Sequence, residues 1–177
     1  SLNWLARITG HKPAVLTGRM GEDLRKPGRV RFLPYLAGER TPHNDADIRG
    51  SFTGLGLATS VDDLTRAVLE GVAFGLRDSF EALKATGASV DSLMAIGGGT
   101  ASRYWLRLIA TVLNLPLRLP AGGEFGAALG AARLAIVAAT GIAPESIMTT
   151  PESRVTIEPD VDMTAFYDAA YSDFRAT

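Results

Sequence analysis

Residues 91–113 read DSLMAIGGGTASRYWLRLIATVL, and no other stretch limits the fold so sharply. A short apolar run ends in three consecutive glycines and opens at once into an amphipathic segment, a pattern that predicts a strand, a bare-backbone turn and a helix. Gly97, Gly98 and Gly99 carry no Cβ, so the chain can take positive φ there and a flat ligand can lie against the peptide plane. Tyr104, Trp105, Leu108, Ile109 and Val112 recur on one side of the following helix. Its first turn leaves N–H groups without partners, aimed at the same spot. Proteins of the α/β class hold nucleotides and anions in this way. The run matches neither G-x-G-x-x-G nor the Walker sequence, so a tight turn with no ligand is an equal reading from these residues alone.

A chain of 177 residues suffices for one domain with a sizeable core, and a single domain over 1–177 is expected. With 46% hydrophobic residues, 21% charged and a net charge of −1, it has no electrostatic reason to seek nucleic acid. The longest apolar stretch, residues 127–139, is interrupted by Gly130 and Arg133 and falls short of a membrane span. It is expected to be a buried helix whose small residues Gly126, Ala127, Ala128, Gly130, Ala131 and Ala132 pack closely on a neighbour. The absence of cysteine excludes a disulfide scaffold and a thiolate nucleophile, and suits a reducing cytoplasm. Trp4 and Leu5 already read as core at the start, as expected of a piece of a longer chain.

Strands and helices alternate along the sequence, predicting an α/β layer architecture. A helix is expected over 2–9, a mobile connection over the glycine- and proline-rich residues 10–29, and a short strand from Arg31 to Leu36 broken by Pro34. The polar run GERTPHNDADIRGSFTGLG is too long for a plain turn and reads as an ordered loop with a task. Asp62 and Asp63 suit the start of a long helix, in which Leu64, Val68, Val72, Leu76 and Phe80 form a stripe. Gly71 and Gly75 inside it point to close approach by another backbone. Gly87 ends that helix. Strands are expected at Leu93–Ile96, Leu115–Leu119 and Arg154–Glu158, and a final helix from about Asp162 carries Phe166, Tyr167, Ala170, Tyr171 and Phe174.

Several of these stretches, in order and spacing, resemble the C-terminal region of the FGGY carbohydrate kinases, and within that family the xylulose kinases most. FLPYLAGERTPHNDADIRGSFTGL resembles the family's central loop. Gly50, Phe52, Gly54, Leu55, Asp63, Leu64, Ala67, Val68, Leu69 and Glu70 fit its second sequence signature. IGGGTASRYWLRLIATVLNLPL is similar to its adenosine-binding motif, and GGEFGAALGAARLA to the helix that follows. The resemblance implies a ribonuclease H-like, actin-like ATPase fold, with this chain as most of the second of two such domains.

What the resemblance implies about function is transfer of the γ-phosphoryl group of ATP, carried with Mg²⁺, to a sugar hydroxyl. D-Xylulose giving D-xylulose 5-phosphate is the expected reaction; glycerol, gluconate, ribulose and rhamnulose are the family's other substrates, and a non-catalytic assembly module is a further reading. Gly97, Gly98, Gly99, Thr100 and Ser102 carry over as the nucleotide-binding residues, while Ser102 also sits where a helix N-cap would be. The catalytic aspartate and the sugar contacts are expected upstream of Asn3, so no catalytic residue is assigned here and the isolated chain is expected to be inactive. Arg107 and Thr111 depart from the family's usual glutamine and aspartate. The small-residue helix and the long loop would suit a homodimer.

Glu39, Arg40, His43, Asp45, Asp47 and Arg49 form a charged cluster without the spacing of a ligand set, so no metal site is expected. They read instead as a loop reaching toward the cleft or a subunit partner, with Arg40 or Arg49 pairing carboxylates. Glu124 reads as a carboxylate at a helix start, stabilised by the dipole.

Overall fold

The computed structural model of the chain describes residues 1–121 and 126–177. Its elements run α1 (Leu2–Thr9), α2 (Pro13–Gly18), β1 (Arg31–Leu33), β2 (Ser51–Thr53), α3 (Val61–Ala85), β3 (Leu93–Met94), a 3-10 turn (Gly98–Ala101), α4 (Arg103–Leu113), β4 (Leu117–Pro120), α5 (Gly126–Thr140), α6 (Pro144–Ile147), β5 (Ser153–Ile157) and α7 (Val161–Arg175). The described strands make two small sheets. β1 pairs antiparallel with β2, while β4 is flanked by β3 in parallel and by β5 antiparallel. The parallel pair needs a crossover connection, which α4 supplies.

A capping box starts α3: the Ser60 hydroxyl accepts the Asp63 N–H, and the Asp63 carboxylate accepts the Ser60 N–H. The stripe expected at four-residue steps is only partly what α3 buries. Val68 and Phe80 are inside, but Leu76 is 43% exposed, and Ala67, Leu69, Ala73 and Phe74 carry much of the burial. Steps of four drift about 40° each around a helix of 3.6 residues per turn, so such a stripe winds off the core. The middle of α3 is covered on several sides, with β1, α1, α4 and α7 all packed against it. At Gly71 the strand comes so close that a Cβ would stand 2.1 Å from the Phe32 carbonyl oxygen.

Two expectations are corrected. Residues 10–29 contain α2, begun by Pro13 in the first turn, and Leu16, Met20 and Leu24 are buried core residues. Proline at a helix start is a helix signal as much as a breaker. The helix α5 is apolar but has no buried residue: Leu129, Leu134 and Ile136 are exposed, and a Cβ at Gly130 would meet nothing within 4 Å among the described residues, so the expected close packing is seen only at Gly126, where a Cβ would run into the Ile96 side chain. Composition reports how apolar a helix is, not whether a neighbour covers it; within the described residues the core under the sheet is already closed by Leu106 and Ala110 of α4 against Leu117 and Ile157. Glu124 lies outside the described residues.

The largest core joins Met20, Leu24 and Tyr35 to Leu69 and Phe74 of α3, Tyr104, Leu108 and Val112 of α4, and Tyr167, Tyr171 and Phe174 of α7. Of the residues its spacing marks for packing, the final helix buries Tyr167, Ala170, Tyr171 and Phe174. Phe166 stays 43% exposed, with the Lys26 ammonium 4.0 Å from its ring centroid.

Candidate nucleotide site

The strand–turn–helix unit forms as its sequence dictates. Gly97 takes φ 90°, a region that side-chain-bearing residues rarely adopt. The Thr100 N–H and hydroxyl both donate to the Gly97 carbonyl, at 3.1 and 2.8 Å, closing the 3-10 turn. Ser102 then caps α4 by accepting the Trp105 N–H at 3.3 Å. A hydroxyl that accepts one bond still has a proton to donate, so capping and ligand contact do not compete for the same end of it.

The turn opens onto a cleft of about 800 Å³ lined by Gly98, Gly99, Ala101, Ser102, Arg103 and Trp105, within the size range of small-molecule sites. Its other lining residues come from α1, α2 and the loop after them, among them Asn3, Pro13, Thr17, Gly18, Gly21 and Glu22. Of the residues predicted for the site, Gly98, Gly99 and Ser102 face the cleft, whereas Gly97 and Thr100 shape the turn from behind. Thr100 instead lines a smaller groove with Ala95, Ile96, Leu119 and Arg154.

The two cleft glycines differ. A Cβ at Gly99 would lie 2.9 Å from Trp105 Cζ3, so the indole packs directly beneath this residue. Among the described residues a Cβ at Gly98 would meet nothing within 4 Å and would project into open space. The Trp105 indole N–H is buried without an acceptor among the described residues. At the rim, Arg103 Nε stands 3.7 Å from a Glu22 carboxylate oxygen, both side chains largely exposed. A bare peptide surface, a helix N-terminus and an aromatic platform in one cleft suit a planar base and an anionic tail. Asn3, Thr17 and Glu22 escaped sequence reasoning, because no local motif marks them and only tertiary packing brings them here.

The loop bearing Glu39, His43 and Asp45 does not line this cleft. Its acids hold its own shape: the Glu39 carboxylate accepts the Thr41 and His43 N–H groups at 2.6 and 2.8 Å, and Asp45 accepts those of Asp47 and Ile48. Arg49 donates to the Ala46 and Ile48 carbonyls, and among the described residues neither Arg40 nor Arg49 forms the carboxylate pair expected of them. The loop docks on α3 through Ser79, whose hydroxyl donates to the Thr41 carbonyl at 3.0 Å, and on Tyr35, whose hydroxyl is 3.2 Å from His43 Nε2. Burial, aided by Asp78 and Glu39, pushes that phenol up to about 12. Among the described residues no cluster of three or more His, Asp or Glu side chains could hold a metal ion, and no helix is long and apolar enough to cross a membrane.

Residues 16–139 match the profile of the C-terminal domain of the FGGY family of carbohydrate kinases. The chain belongs to that family. It is 38% identical, over 98% of its length, to the xylulose kinase of Escherichia coli strain K12. Among solved structures it is similar to a "xyloylose kinase" from Brucella ovis, with 52% identity, 99% of this chain covered and a TM-score of 0.90. A gluconate kinase from Lactobacillus acidophilus follows the same fold, with a TM-score of 0.80 at 27% identity over 99% of this chain. The chain spans about 36% of the length of each of these relatives. The α/β arrangement of the described elements is thus that of an FGGY C-terminal domain.

Proposed function

We propose that this chain supplies the adenosine side of the cleft in an ATP-dependent sugar kinase, one that transfers the γ-phosphoryl group of ATP to a hydroxyl of D-xylulose, giving D-xylulose 5-phosphate. In this reading the FGGY domain is most of the second of two ribonuclease H-like domains of an actin-like ATPase. The observation that carries it is the cleft itself: Gly98 presents bare backbone to open space, beside the N-terminus of α4, with Ser102 and Trp105 next to it. Phosphoryl transfer needs the phosphates neutralised and held in line with the acceptor, and a carboxylate to take its proton. Mg²⁺ would travel with the ATP phosphates, held by them and by water. The carboxylate base and the sugar contacts belong to the rest of the longer protein. Likeness to xylulose kinases over nearly the whole chain favours xylulose; the gluconate kinase likeness keeps a sugar acid as the second substrate reading.

The test is ADP release by the full-length parent enzyme with Mg-ATP across ketoses, polyols and sugar acids, with the present chain assayed alongside. Turnover is expected with D-xylulose above the others, and none from this chain alone. Preference for gluconate would move the substrate and leave the nucleotide site in place; turnover by this chain alone would overturn the division of labour.

Gly98→Val in the parent enzyme tests the cleft. Because a Cβ there meets no atom of the described residues, thermal stability is expected to change by less than about 1 kcal/mol, as at ordinary surface positions. The added methyls fill the space a nucleotide would occupy, and KM for ATP is expected to rise at least about tenfold, the equivalent of about 1.4 kcal/mol of binding. An unchanged KM for ATP would place the nucleotide elsewhere.

A further inference from the structure

We propose that Arg107 is a positioning residue for the nucleotide, one that sets the width of the cleft by tying its far wall to the helix that carries the glycine turn. This rests on the reading that ATP occupies the cleft at Gly98. Arg107 Nη1 donates to the Glu22 carbonyl at 3.3 Å and to Asp23 Oδ1 at 3.2 Å, and Nη2 donates to Asp160 Oδ2 at 3.1 Å. Glu22 lines the cleft. One guanidinium therefore grips the loop after α2 with one nitrogen and the first residue before α7 with the other. A planar fork suits that double contact, and an ammonium does not.

The second residue that departs from the family pattern acts at the same point. The Thr111 hydroxyl donates to the Arg107 carbonyl at 2.7 Å and accepts the Asp160 N–H at 3.0 Å. The two departures, one turn apart on α4, converge on Asp160 and hold it in place for Arg107. The side chains of Arg107 and Asp160 are 28% and 20% exposed, so this pair is sheltered from the screening that weakens open surface pairs. Asp23 is fully exposed and contributes the weaker grip.

Arg107 does not itself line the cleft. A wall held in place binds the nucleoside equally in ground and transition states, so its loss appears in KM for ATP and not in kcat. In the full-length parent enzyme at saturating sugar, Arg107→Ala is expected to raise KM for ATP about tenfold, the cost of losing charge-assisted hydrogen bonds. kcat should fall no more than about twofold and KM for the sugar should not move. Arg107→Lys should recover part of the loss by meeting one carboxylate at a time, and Asp23→Ala, at an exposed position, should raise KM for ATP about threefold.

Gly98→Val, run in the same assay, separates the two readings. A rise in KM for ATP in Gly98→Val alone, with Arg107→Lys and Asp23→Ala unchanged, overturns the positioning role and keeps the site. An unchanged KM in Gly98→Val overturns the site itself. Equal losses in kcat and in sugar KM for the Arg107 variants would mark general structural damage and also overturn the proposal. If Arg107→Ala does not fold, Arg107→Lys and Asp23→Ala decide.

Discussion

Alanine at Gly71 is expected to destabilise the chain by about 3 kcal/mol, the upper end of the usual cost of overpacking. Glycine to alanine inside a helix ordinarily stabilises by up to about 1 kcal/mol, so the sign is reversed by the surroundings. The new Cβ would stand 2.1 Å from the Phe32 carbonyl oxygen. That oxygen cannot swing aside as a side chain would, because Phe32 is fixed in β1 opposite Phe52, and its ring, 1% exposed, lies 6.0 Å from Trp4 and 4.6 Å from Phe52. Gly75, one turn on, is the contrast: its Cβ would reach only ordinary contact with Pro34 Cγ, at 3.4 Å. Gly75→Ala is expected to be neutral or to stabilise by up to about 1 kcal/mol. Urea unfolding of the two variants beside the unaltered chain measures both; shifts of the same sign would contradict the seating of β1 on α3.

The second large effect belongs to Glu70, 1% exposed in the middle of α3. Burial pushes its carboxyl up from 4.5 to about 7, against the opposing pull of the Gly28 N–H, Arg66 and Arg31. The Gly28 N–H lies 3.1 and 3.3 Å from its two oxygens, and Arg66 Nε is 4.0 Å away. The folded chain therefore keeps a proton that the unfolded chain releases. Stability from this group is fully present below pH 4.5 and is lost as pH rises to about 7. The loss is on the order of 2–3 kcal/mol. Denaturant midpoints taken across that window should fall with pH in the unaltered chain. In Glu70→Gln, which keeps an acceptor for Gly28 but cannot titrate, that part of the slope should vanish. A Glu70→Gln profile that still falls in parallel would assign the slope to other groups.

Features decided within a few residues were legible in advance. The glycines and Ser102 make a turn and a cap with atoms at most three positions apart. The stop at Gly87 and the aromatic face of α7 are equally local. Half of the cleft was not legible: Asn3 and Thr17 stand more than eighty positions before Gly98 and carry no motif, and they arrive only because α1 and α2 pack on α3. The same limit applies to Arg107, an unusual charge in the sequence whose partners Asp23 and Asp160 lie 84 and 53 positions away. The glycines at 10, 18 and 21 obscured α2, whose Leu16 anchors it in the core. For α5, apolar content alone is no guide to burial, which also requires a neighbour.

Tyr167 of α7 donates to the Arg25 carbonyl at 2.7 Å across 142 positions. With Tyr171 and Phe174 it completes a core begun by Met20 and Leu24. A ribosome that has just translated Pro159 therefore holds a polypeptide whose largest apolar cluster lacks its lid, with Phe74 and Tyr104 short of their final partners. Contacts this distant close slowly and leave sticky surface open meanwhile. During synthesis that surface stays uncovered until α7 has left the exit tunnel.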